Sequence, residues 1–309
     1  MEEKVLVIDV GGTFIKYGLI DEQCHLTQTS KIKTPYQSQE HFLETLQNIY
    51  LSYQNVHIQG IAMSVPGKID VMQGVMLTSG ALVYLEGLRL AKKLSALCDH
   101  VPVSVENDGK AAALCESWVG QAKDCQSCVV LIFGSGIGGG IVIEHHVLRG
   151  LDLIAGEFSP VFIDLHKGHY QNFAETYSTL SIVKKVQHMK QNEHIDGEYM
   201  MQLYRQQDQD IVSILDDWFE AIAKFCYNID CMINPECICI GGGISQDVLF
   251  VEKIKEKIDE VFGKAYLFRK PQVKSCQYHN DSNLIGAYYT YRQLFSKDGE
   301  KNENNFKGR

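Results

Sequence analysis

Asp108 follows Glu106 and Asn107 at the end of an apolar run, in "SVENDGKAAALCE", and an alanine-rich stretch with helical character follows it. An acidic residue at such a junction has two uses. Asn107 or Asp108 can cap the first turn of the helix, or Asp108 can act as a general base, taking the proton of a hydroxyl as its oxygen attacks phosphorus. Positioned proton transfer of that kind contributes about 10²- to 10⁴-fold to a rate. Phosphoryl transfer also needs donors along a phosphate chain and a metal ion, and three glycine turns elsewhere in the chain offer them.

The first turn carries Asp9, Gly11, Gly12 and Thr13 in "VIDVGGTFIKYGLI", with Lys16 three residues further on. Its glycines admit close approach of backbone amides to phosphate oxygens, Thr13 adds a hydroxyl donor, and Asp9 suits a magnesium ion directly or through water. It lacks the Gly-Lys-Ser/Thr ending of a Walker loop. The second, "GSGIGGG" over 134–140, contributes Gly134, Ser135, Gly136 and Gly138. A strand rather than a helix follows it, which argues against a dinucleotide fingerprint. The third, Gly241, Gly242 and Gly243, leads into a helix and suits phosphates or a flat adenine ring. Together the turns suggest a nucleotide held between lobes.

Glu157 in "AGEFSP" and Glu175 in "FAETYS" are ionised acceptors suited to sugar hydroxyls. As a pair they also fit a glycosidase, a reading that leaves the glycine turns without a role. Cys125-x-x-Cys128 and Cys237-x-Cys239 lack a second pair nearby in sequence, and His166 and His169 lack two further ligands, so buried thiols are favoured over a zinc cluster.

These residues need elements to hold them. Residues 5–20 read as a hairpin with the first turn at its tip, followed by a strand at Leu26–Ile32 and a helix over Gln39–Ser52. Ile58–Val65 is a strand closed by Pro66-Gly67. Leu85–Ala96 reads as a helix, Val101–Val105 as a strand and Gly109–Trp118 as a helix. The second half repeats the logic: strand Val129–Phe133, glycine turn, return strand, a long helix over Ile211–Ile233, strand Ile238–Ile240, helix Val248–Val261 and a last helix over Asp281–Leu294. The pattern predicts an α/β protein with an N-terminal lobe at 1–118 and a C-terminal lobe at 119–296. The last helix is free to pack back on the first lobe, and a polar tail over 297–309 is expected to fray.

The chain of 309 residues is long enough for a large core, and its formal charge of −9 speaks against nucleic-acid or anionic-membrane partners. No apolar run reaches the roughly 20 residues that span a bilayer. The start, "MEEKVLVIDVGG", has no basic leader, so reduced thiols and a cytoplasmic location are expected.

The ordered motifs at 7–20, 61–70, 105–116, 132–143, 148–157 and 237–247 resemble the ROK family (repressors, open reading frames and kinases) of the actin-like and hexokinase-like ATPases. The resemblance implies two ribonuclease H-like lobes closing over ATP and Mg²⁺, with a sugar 6-hydroxyl directed at the γ-phosphate. Asp9, Gly11, Gly12 and Thr13 match the first phosphate loop of the family, Gly134, Ser135, Gly136 and Gly138 the second, and Gly241–Gly243 the turn near adenosine. Asn107 and Asp108 match its sugar-binding asparagine and catalytic aspartate; Glu157 and Glu175 match acidic residues holding ring hydroxyls, and Pro66-Gly67 should border the sugar.

The chain departs from the family pattern in its sugar and zinc segments. Pro160 stands where many members carry a histidine, and 158–174 contain no cysteine, so no structural zinc is expected. An asparagine expected after the Pro-Gly turn is missing from "LTSGALVYLEG", where Ser79 or Tyr84 are the candidates to replace it. The phosphate-loop strand begins at Val5, which leaves no preceding helix-turn-helix and makes a DNA-binding role unexpected. Glucose, a beta-glucoside and N-acetylmannosamine are the sugars considered, a homodimer is suggested, and a catalytically weak sugar sensor is the alternative function.

Overall fold

The computed structural model describes residues 4–164, 166–264 and 269–295; the expected polar tail lies outside them. The first part of the chain forms β1 (Lys4–Val10), β2 (Phe14–Ile20), β3 (Leu26–Lys33), α1 (Gln39–Leu51), β4 (Ile58–Val65), the short pair β5 (Ile69–Asp70) and β6 (Val75–Met76), α2 (Leu90–Leu97), β7 (Val103–Asn107) and α3 (Asp108–Trp118). There follow β8 (Ser127–Phe133), β9 (Ile137–Ile143), β10 (His146–Val147), α4 (Phe173–Tyr177), α5 (Thr179–Lys190), α6 (Gly197–Arg205), α7 (Gln209–Ile233), β11 (Cys237–Gly241), α8 (Val248–Gly263), β12 (Gln272–Ser275) and α9 (Ser282–Phe295). Among the described residues no helix is long and apolar enough to cross a membrane.

These elements make two compact units. One contains the described parts of 1–118, 146–156 and 281–309, the other 119–145 and 157–280. The expected second lobe spans 119–296, with its last helix free to pack back on the first. In the structure α9 belongs to the first unit, where it lies along α3, and so does 146–156, which the expectation placed in the second and where Arg149 pairs with Glu106.

In the first unit the sheet order is β3-β2-β1-β4-β7, with β1–β2 and β2–β3 antiparallel and β1–β4 and β4–β7 parallel. β1 is buried from Val5 through Val10, as expected of a central strand covered on both faces. β3, at the edge, is mostly exposed and carries Lys31 and Lys33, which discourages further strand pairing. The expected helix over 85–96 begins only at Leu90, because Gly87 adopts φ +75° after a 3₁₀ turn at Val83–Leu85. α9 approaches α3 closely at Gly286, where a Cβ would stand 1.8 Å from the carbonyl oxygen of Ala111. Trp118 packs against Tyr289 with ring centroids 4.7 Å apart and planes tilted by 31°, and lies under the Arg292 guanidinium.

In the second unit β9-β8-β11-β12 reproduces the order and sense of β2-β1-β4-β7: an antiparallel hairpin, then two parallel neighbours. α7 is capped by Asp208, whose side chain accepts from the Ile211 amide, and ends at Asn234 with φ +50°. Its buried stripe includes Leu215, Trp218, Phe219, Ile222 and Phe225, and Trp218 meets Phe133 and Phe250 in the core. The helices α4, α5 and α6, absent from the sequence reading, start at the side-chain caps Asn172, Ser178 and Asp196. Cys128 and Cys237 are register partners across β8 and β11, and Cys237 lies 3.7 Å from Cys239, so the two cysteine pairs that are distant in sequence adjoin in the core.

Candidate active site

Because β1, β4 and β7 run parallel, their C-terminal ends lie at one edge of the sheet. That edge gathers Asp9 with Gly11–Thr13, Pro66-Gly67, and Asn107 with Asp108. In open α/β sheets this is where ligands bind.

At the end of β7, Asn107 does the capping. Its Oδ1 accepts from the Lys110 amide at 2.9 Å, and its Nδ2 donates to the carbonyl of Gly67 and to Asp108 Oδ1, both at 2.9 Å. Asp108 Oδ1 also accepts from the Gly109 amide at 2.8 Å. Asn107 thereby carries the structural role and fixes the orientation of the Asp108 carboxylate while tying it to the Pro66-Gly67 turn. Gly67 has φ +94°, and a Cβ there would come within 2.4 Å of the Thr78 carbonyl oxygen, so the turn can be built only with glycine.

Glu106, to which the sequence reading gave no role, is completely buried at this junction. Arg149 holds it in a bidentate pair at 2.9 and 2.6 Å, Thr290 Oγ1 donates at 3.1 Å and the Asn107 amide at 2.9 Å. Burial alone would raise its pKa, but the Arg149 charge and hydrogen bonds prevail and hold it below the ordinary carboxylate value. The partners lie 43 and 184 residues away, and nothing local in "SVENDG" announces them.

Asp9 is buried, which pushes its pKa up; a hydrogen bond from Asn283 Nδ2 at 3.0 Å and the Lys16 charge offset this in part. Lys16 is its register partner across the β1–β2 hairpin, so the two side chains share a face. A buried carboxylate with incomplete compensation is a suitable hard oxygen ligand for a magnesium ion.

In the second unit β8 and β11 run parallel, so the tip at Gly134–Gly136 and the turn at Gly241–Gly243 also share one sheet edge. The glycine segment is shorter as a turn than expected: Gly134 N donates to the Gly136 carbonyl at 3.0 Å, whereas Gly138–Gly140 belong to β9. Gly139 is required inside that strand, because a Cβ would lie 1.9 Å from the Val130 carbonyl oxygen. Ser135 is exposed at the tip. Gly242 has φ +95° and is pressed against Phe133, and Gly243 opens a 3₁₀ turn to Gln246 before α8 begins. The third turn thus fronts a 3₁₀ segment and not α8 itself. Beside it lies a cavity of about 780 Å³ lined by Thr179, Gly197, Arg205, Gly243 and Asp247, among others.

Glu157 and Glu175 bracket a hairpin in which Ala174 N donates to Ser159 O and Phe173 N to Val161 O. That pairing brings the two glutamates to the same end of the loop, Glu157 half-buried and Glu175 exposed in the first turn of α4. At the loop's far end His166 and His169 both contact Asp164. Among the described residues no three His, Cys, Asp or Glu side chains are grouped as they would be to hold a metal ion. Ser79 and Tyr84, considered as replacements for the missing asparagine, are engaged internally: Ser79 Oγ donates to Leu82 O at 2.7 Å and Tyr84 OH to Pro35 O.

The chain is 28% identical over 296 residues to a beta-glucoside kinase of Listeria monocytogenes, spanning 94% of this chain and 98% of that one. It is 27% identical over 302 residues to an N-acetyl-D-glucosamine kinase of Vibrio atlanticus, spanning 91% and 97%. A ROK family protein from Streptococcus pneumoniae, solved in complex with sucrose, matches with a TM-score of 0.85 at 27% identity over 94% of this chain and 98% of that chain. The ROK family model covers residues 5–293, and with the sheet order and strand-end turns described above the chain belongs to the ROK family.

Proposed function

We propose that this protein is an ATP-dependent sugar kinase that phosphorylates the 6-hydroxyl of a hexose or hexoside. The observation that carries the reading is the Asp108 carboxylate, oriented by Asn107 and Gly109 at the strand edge that also presents Asp9 and the Gly11–Thr13 turn. Asp108 accepts the proton of the attacking hydroxyl, and the Gly11–Thr13 turn beside it supplies amide donors to the phosphate chain. Asp9 is the residue suited to hold Mg²⁺, which when bound screens phosphate charge. Asn107, Glu157 and Glu175 are assigned to the sugar hydroxyls.

A hexoside is favoured over a free hexose by the beta-glucoside kinase relative and by the sucrose complex of the Streptococcus protein. Pro160, in the position of a common family histidine, removes a donor from the sugar side and fits a substrate recognised by fewer polar contacts.

ADP release measured with glucose, N-acetylmannosamine, N-acetylglucosamine and cellobiose tests the reading. Turnover with cellobiose above the other sugars is expected. Asp108→Asn should reduce kcat by about 10²- to 10⁴-fold with little change in sugar KM. ADP release with none of the sugars, despite ATP binding, would instead support a sugar sensor, and a fully active Asp108→Asn variant would remove Asp108 from the mechanism.

A further inference from the structure

Three consecutive carbonyls at the β1–β2 tip are drawn to one short segment. Gly11 O accepts from Thr34 Oγ1 at 2.7 Å, Gly12 O from the Tyr36 hydroxyl, and Thr13 O from the Thr34 amide at 3.0 Å. In a planar trans peptide the C=O of one residue and the N–H of the next point in opposite directions. Holding these carbonyls toward 34–36 therefore aims the amides of Gly12, Thr13 and Phe14 the other way. Among the described residues the Gly12 and Thr13 amides have no hydrogen-bond partner, and both residues are exposed. Successive amides aimed alike form an anion-binding concavity.

The segment that does the holding is itself secured. Pro35, between Thr34 and Tyr36, has its φ restricted by the ring, and its carbonyl accepts from the Tyr84 hydroxyl. The Tyr84 ring packs edge-on against Phe42 and lies 6.3 Å from the Tyr36 ring, and Gln39 Nε2 donates to the Tyr84 carbonyl at 2.8 Å. Thr34 is buried. At Gly12 a Cβ would stand 3.6 Å from the Tyr36 oxygen, an ordinary contact, and its φ is not positive. The fold alone therefore does not demand glycine at 12, whereas a ligand approaching the backbone does.

We propose that Thr34 and Tyr36 are positioning residues, a carbonyl clamp that presents the Gly12 and Thr13 amides to a phosphate oxyanion of the nucleotide. This rests on the assignment of the 11–13 turn to phosphate. The clamp touches no substrate; it acts by keeping the donors oriented before binding, so its loss weakens recognition of phosphate and leaves the rest of the nucleotide untouched.

The test compares ATP and adenosine binding by calorimetry, with KM for ATP and kcat, in Tyr36→Phe, Thr34→Val and Thr34→Ser. Tyr36→Phe and Thr34→Val should each raise Kd and KM for ATP about two- to tenfold, the equivalent of one modest hydrogen bond, with adenosine affinity unchanged. Thr34→Ser, which keeps the hydroxyl, should bind ATP like the parent. Tyr36→Phe keeps the ring at an exposed position and reports even if Thr34→Val fails to fold. The clamp is overturned if Tyr36→Phe binds ATP as tightly as the parent, or if ATP and adenosine weaken together. A parent protein that prefers ATP no more than adenosine would overturn the phosphate assignment itself, and the clamp with it.

Discussion

At the scale of single residues, Glu106 and Asp9 are buried carboxylates with opposite energetics. Glu106 is matched by Arg149 and holds the backbone of Asn107 beside the proposed base. Removing its charge takes the bidentate carboxylate from a buried guanidinium, so Glu106→Gln should cost about 3 to 5 kcal/mol in urea unfolding at pH 7. Its folded pKa lies below the unfolded value of about 4.3. The stability it contributes is therefore present above that pH and lost as pH falls through the depressed value, and the gap between parent and variant should close in acid. Asp9 is shifted the other way by burial. Protonation favours the folded state below about pH 4, and that advantage disappears as pH rises through the raised folded value. Ionised Asp9 is then a cost at neutral pH, which fits the magnesium role proposed for it. Asp9→Asn is expected to raise the unfolding midpoint at pH 7 while weakening Mg–ATP binding by calorimetry; an unchanged ATP affinity would count against the magnesium assignment.

At the scale of elements, α3 delivers Asp108 and is positioned by its contact with α9. Its small residues are not decoration, since Ala111 and Ala112 are buried and Gly286 faces the Ala111 carbonyl at a distance that excludes a side chain. Gly286→Ala should force the helices apart at a cost of about 1 to 3 kcal/mol, with a lower urea midpoint and reduced turnover in the protein that remains folded. Retention of both would show that α9 can slide without disturbing the β7–α3 junction. Elsewhere the local chemistry of each element was readable: the continuous apolar run of β1, the apolar stripe of α7 and the strand before Asp108 all emerge from the sequence pattern. The helix expected from Leu85 was misplaced because the apolar period runs through Gly87, whose left-handed φ stops the helix from propagating.

At the scale of the whole molecule, packing and not metal ligation is what the described residues display, with no three His, Cys, Asp or Glu side chains grouped to hold an ion. The second unit builds its core on aromatic packing around Trp218, and eight of the ten cysteines are buried as free thiols. The hydrogen bond with the neighbouring thiol Cys237, and then burial, keep Cys239 well above the usual thiol range, so it packs as a neutral group. Incubation with EDTA should leave the thermal midpoint of the nucleotide-free protein unchanged. A fall on chelation would reveal a metal and overturn the zinc-free reading of the 158–174 segment.

The sequence by itself determined the chemistry-bearing turns, because glycine, aspartate and asparagine act through local backbone geometry that neighbours in the chain define. Asp9, the Gly11–Thr13 turn, Pro66-Gly67 and Asn107-Asp108 were all visible as strand endings. Only the tertiary structure decided that three of those endings lie at one sheet edge, since strand order and parallel sense are set by burial between segments far apart. It also decided that Arg149 returns to Glu106, that the unit boundaries are crossed more than once, and that Thr34 and Tyr36 hold the carbonyls of a turn more than 20 positions earlier. Such contacts depend on which surfaces the packed chain brings together, and no local propensity encodes them.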